Sequence, residues 1–190
     1  MILPIVQYNE PILRRAGEPV REFDAQLKTL FHDMVATMHD ADGIGLAAQQ
    51  IGLDLRFCVI DLRGGLEDSR YTFDERPGPP LDLLMPLAMA NPELSFPRAE
   101  RATHEEGCLS FPDIRGDVER PEHVRVRYQD LEGHFHTIEC DGLFARCIQH
   151  EADHLDGILF IDRMPPKTLK ALEKKLKILK RRTRDSVGAK

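Results

Sequence analysis

Apolar residues recur at helical spacing in two long segments of the chain. The first begins after Asp24, a residue type favoured at helix N-caps, and its apolar positions are Leu27, Leu30, Phe31, Met34 and Met38. The second begins after Asp141, which we expect to cap it, and its apolar positions are Leu143, Phe144, Cys147, Ile148 and Leu155. Gly157 follows and is typical of a helix C-terminus. The pattern predicts one helix near the N-terminus and a second between Asp141 and Gly157.

A third helical pattern begins near Pro165-Pro166 and continues towards the C-terminus. Its apolar stripe consists of Leu169, Leu172, Leu176 and Leu179, and lysines cover the remaining positions. Residues 163–190 carry a net charge of +9, whereas residues 1–162 carry −15. A basic tail on an acidic body points to an anionic partner, and a solvated helix face is the alternative interpretation.

Strand patterns occupy the middle of the chain. Residues 56–62 are typical of a buried strand, and apolar sequence returns at 87–90. Residues 123–129 and 134–140 alternate around a turn at 130–133, which predicts a β-hairpin. Between the apolar segments at 56–62 and 87–90, residues 63–84 are rich in Gly, Pro and charge, and we expect a long surface loop there. Strands in the middle with helices at both ends favour an α+β fold over alternating βαβ units.

Composition restricts the class of protein. With 190 residues, 42% apolar and 31% charged, the chain suits one globular domain, and its 13 Gly and 13 Pro disfavour a coiled coil. No apolar run approaches the length of a membrane span, and the N-terminus lacks the basic region of a secretory signal. The four cysteines, Cys58, Cys108, Cys140 and Cys147, show no disulfide framework. We therefore expect reduced thiols and a cytoplasmic location.

The strongest local motif is His150-Glu151-Ala152-Asp153-His154. On a helix, two histidines four residues apart share one face and can bind one metal ion, while the adjacent glutamate can accept a proton from water. Two surface histidines on an amphipathic helix are the alternative interpretation.

A catalytic metal site needs a third protein ligand and one open position. In one protease pattern the third ligand would fall on Phe160, which cannot bind a metal, and in another on Glu173, which lies in the basic helix. Cys108, in Glu106-Gly107-Cys108-Leu109-Ser110, is the other candidate, because a thiolate is a strong ligand. A buried structural cysteine remains the alternative.

Three segments together resemble the peptide deformylase family. Residues 43–50 (GIGLAAQQ) match G-x-G-x-A-A-x-Q, residues 106–110 match E-G-C-x-S, and residues 149–157 match Q-H-E-x-D-H-L-x-G. The resemblance extends from about Pro11 to Arg163. It implies a compact α+β domain of antiparallel sheets around a central metal-binding helix. It also implies removal of the N-formyl group from the initiator methionine of nascent chains, with release of formate.

The resemblance also implies roles for individual residues. Cys108, His150 and His154 would bind the metal, and Glu151 would be the general base and later the proton donor. The Gln50 side-chain amide and the Leu109 backbone N–H would stabilise the oxyanion. Ile44 and Gly45 would hold the substrate backbone and line the methionine pocket, and Arg115 would face the substrate's peptide backbone. Only the alignment with G-x-G-x-A-A-x-Q favours Gln50 over Gln49 as the oxyanion donor.

The same resemblance predicts Fe(II) as the metal in the cell, with Zn, Ni or Co in purified protein. The ligand set by itself suits Zn and admits Fe or Co. Asp153 is a candidate to orient a ligating histidine, with a plain surface charge as its alternative. Arg146 stands where family members often have an apolar pocket residue, and we expect its charge to point outward, with a narrower pocket as the alternative.

Two competing functions follow from the same residues. A zinc endopeptidase would lack its third ligand at Phe160. A non-catalytic binding module would need a closed metal site, for example with His104 as a fourth ligand. We divide the chain into a catalytic domain, 1–164, and a basic helix and tail, 165–190, whose Lys170, Lys174, Lys177 and Arg181 are candidates to contact the ribosome. We expect a monomer that binds no membrane.

Overall fold

The computed structural model describes residues 1–62 and 70–187. Its helices are α1 (Ala25–Asp40), α2 (Leu81–Leu84), α3 (Gly142–Leu155) and α4 (Pro166–Val187), and 3-10 turns cover Pro11–Arg14, Ala48–Ile51 and Phe160–Asp162. Its strands are β1 (Gly45–Ala47), β2 (Phe57–Ile60), β3 (Tyr71–Phe73), β4 (Arg76–Pro77), β5 (Leu87–Ser95), β6 (Arg101–Gly107), β7 (Arg115–Pro121), β8 (Val124–Gln129) and β9 (Phe135–Cys140).

Seven strands form one antiparallel sheet in the order β1-β2-β5-β8-β9-β3-β4, and β6 and β7 form a separate two-stranded ribbon. The predicted hairpin is β8–β9, in which Val124 pairs with Cys140 and Gln129 with Phe135. Within the ribbon, Arg101 pairs with Pro121 and Gly107 with Arg115. The α+β prediction is therefore confirmed.

Helices α1 and α3 pack on opposite faces of the large sheet. Alternation along β2 explains this, since Phe57 and Val59 join the apolar cluster of α1 whereas Cys58 and Ile60 join that of α3. A strand buried on both faces has no polar positions, as the apolar run Phe57–Ile60 shows. Helix α3 consequently lies in the interior and carries the His150–His154 motif with it.

The N-termini of α1 and α3 differ in how they are capped. The Asp24 carboxylate accepts hydrogen bonds from the N–H groups of Gln26 and Leu27, so the predicted cap of α1 is confirmed. The prediction for Asp141 is confirmed for its position but not for a side-chain hydrogen bond to the helix. Its backbone occupies the N-cap position of α3, but its carboxylate accepts a hydrogen bond from the Arg70 N–H, at 2.7 Å, across to the segment before β3. Gly157, with φ of +71°, follows the end of α3 in the left-handed conformation.

The prediction of one long surface loop over 63–84 is also wrong for much of its length. Residues 71–73 extend the large sheet by pairing with β9, and residues 81–84 form a helical turn. These short elements depend on the free edge of β9 and on apolar contacts from Tyr71 and Leu84, which local sequence patterning does not reveal. The part of the predicted loop at 63–69 lies outside the described residues.

Helix α4 begins at Pro166, as predicted, and packs against the ribbon and the 3-10 turn before it. Leu176 and Leu179 are buried in a cluster with Phe111, Val118 and Phe160. None of the helices in the described part of the chain is long and apolar enough to cross a membrane.

Candidate active site and metal centre

Three metal-ligand side chains converge between α3 and the ribbon. His150 and His154 lie one turn apart on α3, and Cys108 follows the last residue of β6. Their ligand atoms all lie within 4.8 Å of one another, and Cys108 Sγ is 3.3 Å from His154 Nε2. One sulfur and two imidazole nitrogens form a donor set that suits a divalent transition metal, and three protein ligands leave a position open.

The two histidines titrate differently. Burial lowers the pKa of His154 well below its ordinary value, and the nearby charges of His150 and Arg120 lower it further. Burial also lowers the pKa of His150, but hydrogen bonds with Cys108 and Glu106 outweigh it and raise that pKa to about 10 without a bound cation. Because a ligating imidazole must be deprotonated, a cation at this site competes with protons for His150.

Glu151 is buried beside this cluster, with 3% of its surface exposed. Its Oε2 atom has no hydrogen-bond partner among the described residues. Burial raises the pKa of Glu151 to about 7; the charges of His150 and Arg120 lower it, and that of Glu106 raises it. A carboxyl group with a pKa near neutrality can both accept and return a proton.

Glu106 is a functional residue that the sequence analysis missed. Its Oε2 lies 3.0 Å from His150 Nδ1, so it can orient this imidazole and leave Nε2 available as a ligand atom. Arg120 donates to both oxygens of Glu106, at 2.7 and 3.0 Å. Burial raises the pKa of Glu106, but these bonds to His150 and Arg120 hold it well below its usual range. The motif E-G-C contained this residue, but only the cysteine had an evident chemical role.

The prediction that Asp153 orients a histidine is not supported by the contacts. Its carboxylate accepts hydrogen bonds from Arg120, at 2.7 Å, and from Arg163, also at 2.7 Å. Asp153 is buried rather than a plain surface charge. It therefore acts on His150 only through Arg120 and Glu106.

The prediction that the charge of Arg146 points outward is wrong. The Arg146 side chain is buried, and its Nη1 donates to Glu106 Oε1 at 2.7 Å and to the Val118 carbonyl at 3.0 Å. Its Nη2 donates to the Ala102 carbonyl at 2.9 Å. An arginine can be buried here because a carboxylate and two carbonyls satisfy its donors.

Gln50 faces the cluster and Gln49 does not bond to it. The Gln50 Oε1 accepts the Ala47 N–H at 2.9 Å, which directs Nε2 towards Cys108 Sγ at 3.4 Å and Ser110 Oγ at 3.3 Å. The amide of Gln49 is buried without a hydrogen-bond partner in the described part of the chain. The Leu109 N–H, next to Cys108, donates to no acceptor among residues 1–62 and 70–187.

Of the three predicted substrate-binding residues, Ile44 and Arg115 are exposed, whereas Gly45 is buried. Ile44 is 44% exposed and precedes β1, an edge strand of the large sheet. Gly45 touches Glu151, because a Cβ built on it would lie 2.7 Å from the Glu151 carboxyl carbon. The Arg115 side chain, at the start of β7, is 69% exposed and lies 4.0 Å from Glu105.

The alternative ligands are not part of the cluster. Phe160 is buried with its ring centroid 5.9 Å from that of His150. Glu173 pairs with Lys177 on the exposed face of α4, and His104 is exposed on β6. Among the described residues, Cys108, His150 and His154 form the only group of three or more such side chains that meets this geometry. A metal ion held by these three described residues would therefore keep an open position.

Comparison with known proteins identifies the family. A family model described as "Polypeptide deformylase" matches residues 2–170. The chain belongs to the polypeptide deformylase family. It is 54% identical over 186 residues to the peptide deformylase of Opitutus terrae, covering 97% of this chain and 96% of that one. The peptide deformylase of Bartonella tribocorum is 48% identical, covering 83% and 82%.

Solved structures of the family share the fold. A plant peptide deformylase superposes with a TM-score of 0.85 at 33% identity, covering 98% of this chain and 93% of that one. The enzyme from Thermotoga maritima gives 0.75 at 38% identity, covering 87% and 99%. The chain is therefore a hydrolase of protein biosynthesis that removes the N-formyl group from nascent chains, in a family that depends on a metal.

Proposed function

We propose that Cys108, His150 and His154 bind one divalent metal ion, and that Glu151 is the acid–base group of formyl hydrolysis. The observation that carries the proposal is the convergence of these three ligand atoms, within 4.8 Å of one another, beside a buried carboxyl group. The Glu151 Oε2, which lacks a partner among the described residues, fits a site that receives water and metal. The substrate is the N-formyl-methionyl end of a nascent peptide.

The metal is Fe(II) in the cell, and Zn, Ni or Co in purified protein. This assignment extends the family resemblance, since a thiolate with two imidazoles accepts several of these ions. A bound divalent cation supplies Lewis-acid polarisation and makes water acidic enough to deprotonate near neutral pH. The protein supplies the ligand geometry, the proton acceptor and the groups that receive developing charge.

Glu151 moves the proton in both halves of the reaction. Its carboxylate accepts a proton from the water that attacks the formyl carbon. The C–N bond then breaks, and Glu151 returns the proton to the departing nitrogen, leaving formate and a free α-amino group. Burial raises the pKa of Glu151 from its ordinary value towards neutrality, which serves both transfers because neither the loss nor the gain of the proton is then strongly uphill.

Gln50 and Leu109 stabilise the negative charge that develops on the formyl oxygen. The amide of Gln50 is held by its bond to the Ala47 N–H, so its Nε2 is directed to the cluster before substrate arrives. The N–H of Leu109 is a second donor next to Cys108. Preorganised donors of this kind favour the transition state over the ground-state carbonyl.

Ile44, Gly45 and Arg115 bind the peptide. Gly45 belongs to the edge strand β1, whose backbone can pair with an extended substrate. Ile44 offers apolar surface to the methionine side chain, and the exposed guanidinium of Arg115 reaches the backbone carbonyls further along. Because Gly45 has no Cβ, the substrate backbone can approach Glu151 closely.

Formate release from a short N-formyl-methionyl peptide tests this proposal. Protein purified without oxygen and loaded with Fe(II) or Ni(II) should turn over the peptide, and a chelated sample should not. Glu151→Gln should bind the metal with unchanged stoichiometry and lose at least about 10²-fold in kcat. Turnover that survives in Glu151→Gln would overturn the role of this residue, and metal bound by Cys108→Ala as tightly as by wild type would overturn the ligand set.

We also propose that the chain acts as a cytoplasmic monomer, and that α4 docks it on the ribosome. Residues 1–164 form the catalytic unit in this scheme, and 165–190 the docking helix and tail. Lys170, Lys174, Lys177 and Arg181 are exposed, so they can contact rRNA phosphates. Leu172, Leu176 and Leu179 meanwhile pack on the body.

Charge substitutions test the docking helix more cleanly than truncation, because deletion would uncover Phe111 and Phe160. Replacing Lys174, Lys177 and Arg181 with Gln should weaken sedimentation with ribosomes and make it less salt-sensitive, with kcat/KM on short peptides unchanged. Replacement of Lys28, an exposed lysine of α1, with Gln is the matched control. Unchanged ribosome binding by the triple variant would exclude this role of α4.

A further inference from the structure

Helix α3 faces the β6–β7 ribbon with a stripe of polar side chains spaced three and four residues apart. Gln149 Nε2 donates to the Pro121 carbonyl at 2.9 Å, and Asp153 accepts from Arg120 at 2.7 Å. His150 lies 3.0 Å from Glu106. The stripe consists of Arg146, Gln149, His150 and Asp153. Hydrogen bonds and ion pairs, rather than apolar packing alone, therefore set the position of the ribbon relative to the helix.

This interface passes through the proposed metal site. His150 and His154 belong to α3, whereas Cys108 directly follows the ribbon strand β6. The distance between the sulfur and the imidazole nitrogens therefore depends on how the ribbon is held against the helix. A displacement of well under 1 Å matters, because metal–ligand distances are defined to within about 0.2 Å.

Arg146 makes more of these connections than a single ion pair would require. It bonds Glu106 and Ala102 on β6, and also Val118 on β7, so one guanidinium holds both strands of the ribbon. The planar guanidinium of an arginine can direct separate N–H groups at two carbonyls and a carboxylate, whereas a lysine ammonium cannot.

The Glu106 carboxylate is saturated by this arrangement. Oε1 accepts from Arg120 at 2.7 Å and from Arg146 at 2.7 Å. Oε2 accepts from Arg120 at 3.0 Å and from His150 at 3.0 Å. Two oxygens offer about four acceptor positions, so four donors leave the carboxylate no freedom to rotate. Its orientation fixes the ring of His150.

We propose that Arg146 is a positioning residue of the metal centre. It fixes the spacing between Cys108 and the two histidines by holding the ribbon on α3, and it fixes the His150 ring by completing the hydrogen bonding of Glu106. This proposal rests on the ligand set given under Proposed function. It assigns a buried structural task to a position at which the sequence suggested an outward-pointing charge.

The test compares Arg146→Met and Arg146→Lys with wild type. Each protein is loaded with Co(II), and the visible d–d bands and the rate of metal release to a chelator are measured. We expect Arg146→Met to release the metal about 10- to 100-fold faster and to show shifted d–d bands. Arg146→Lys keeps the charge but loses the bonds to three groups, so its metal-release rate should fall between those of wild type and Arg146→Met. We also expect a lower kcat with KM nearly unchanged.

Arg56→Met is the matched control for loss of a structural arginine. Arg56 bonds Asp156 at 2.6 Å and the carbonyls of Leu155 and Pro92 at 3.4 Å, so it also links α3 to another segment through three groups. We expect Arg56→Met to lower the melting temperature but to keep the metal-release rate and the d–d bands of the wild-type protein.

The outcomes separate this inference from the one on which it rests. Wild-type protein that binds no Co(II), or Cys108→Ala that binds it equally well, would reject the ligand set itself. Arg146→Met that is destabilised but keeps wild-type bands and release rate would reject the positioning role alone. If Arg146→Met does not fold, Arg146→Lys decides, and a wild-type release rate there would reject the proposal.

Discussion

The carboxyl group of Glu151 lies directly against the α-carbon of Gly45. A Cβ built on Gly45 would overlap Oε1 of Glu151 and lie 2.7 Å from its carboxyl carbon and 2.9 Å from its Cγ. Real Cβ atoms do not approach other atoms so closely, so a side chain at position 45 must displace the carboxyl group. The glycine of the edge strand β1 thereby constrains the position of Glu151, the proposed acid–base group on α3.

Gly45→Ala should therefore lower kcat/KM by about 10²-fold or more while leaving metal binding intact, because proton transfer depends on the placement of Glu151. Formate release and metal analysis of the same preparation provide the measurement. Gly78→Ala is the control, since its Cβ would meet the ring of Tyr71 on β3, a residue with no role in the site. It should lower stability and spare activity. Equal activities of the Gly45→Ala variant and wild type would contradict the contact.

The activity should rise with pH through an acid limb set by Glu151. Without a bound cation, burial raises the pKa of Glu151 to about 7. The base is the deprotonated form, so activity is lost as the pH falls through this pKa. A bound cation favours the carboxylate and moves the limb below that value. A profile of kcat/KM against pH at constant ionic strength checks this, and a rate that falls as the pH rises through 7 would be the contrary result.

Arg120 should contribute strongly to stability because it pairs with two buried carboxylates. It bonds Glu106 and Asp153 at 2.7 Å each, with 3% of its side chain exposed. Arg120→Met leaves both carboxylates short of a donor, and we expect a loss of about 3–5 kcal/mol in the free energy of unfolding. Denaturant titration of the metal-free protein measures this.

The matched control for Arg120 lies on the other strand of the ribbon. Arg101 pairs with Glu119 at 2.5 Å, but about half of each side chain is exposed, at 50% and 52%. Exposed pairs contribute about 0–1 kcal/mol, so Arg101→Met should change stability by less than that. Equal losses in the two variants would show that burial does not set the strength of these pairs.

His136 links two turns in a pH-dependent way. Its Nδ1 lies 2.9 Å from Asp74, beside the β3–β4 turn, and its Nε2 lies 3.1 Å from Asp130, in the β8–β9 turn. Burial lowers the pKa of His136, but the bonds to Asp74 and Asp130 outweigh it and raise the pKa above its ordinary 6.5. Bonds to His136 likewise outweigh burial and lower the pKa of Asp74 below 3.8.

The signs of these shifts define the window in which the link stabilises the fold. The raised pKa of His136 gives stability that is complete below 6.5 and is lost as the pH rises through the folded value. The lowered pKa of Asp74 gives stability that is present above 3.8 and is lost in acid. His136→Gln should therefore lower the melting temperature most between pH 3.8 and pH 6.5. A difference from wild type that grows above pH 8 would contradict the link.

The sequence alone predicted the elements whose signals are local. Asp24, Gly157 and the spacing of the leucines in α4 are short-range features, because capping and helical periodicity involve residues within one or two turns. Three short motifs were enough to indicate the family, which the comparisons confirm. The convergence of Cys108 with the two histidines was expected from the same motifs.

The tertiary structure decided what buried charges do, since their partners are distant in sequence. The sequence predicts an outward-pointing Arg146 and leaves a surface charge as one interpretation of Asp153, yet both are buried because partners on the ribbon satisfy them. Asp141 followed the rule for helix caps but bonds Arg70 instead. The local pattern records which residues are polar; whether a polar side chain faces water or another charge depends on elements packed against it. The path from Arg146 through Glu106 to His150 exists only because the ribbon packs on α3.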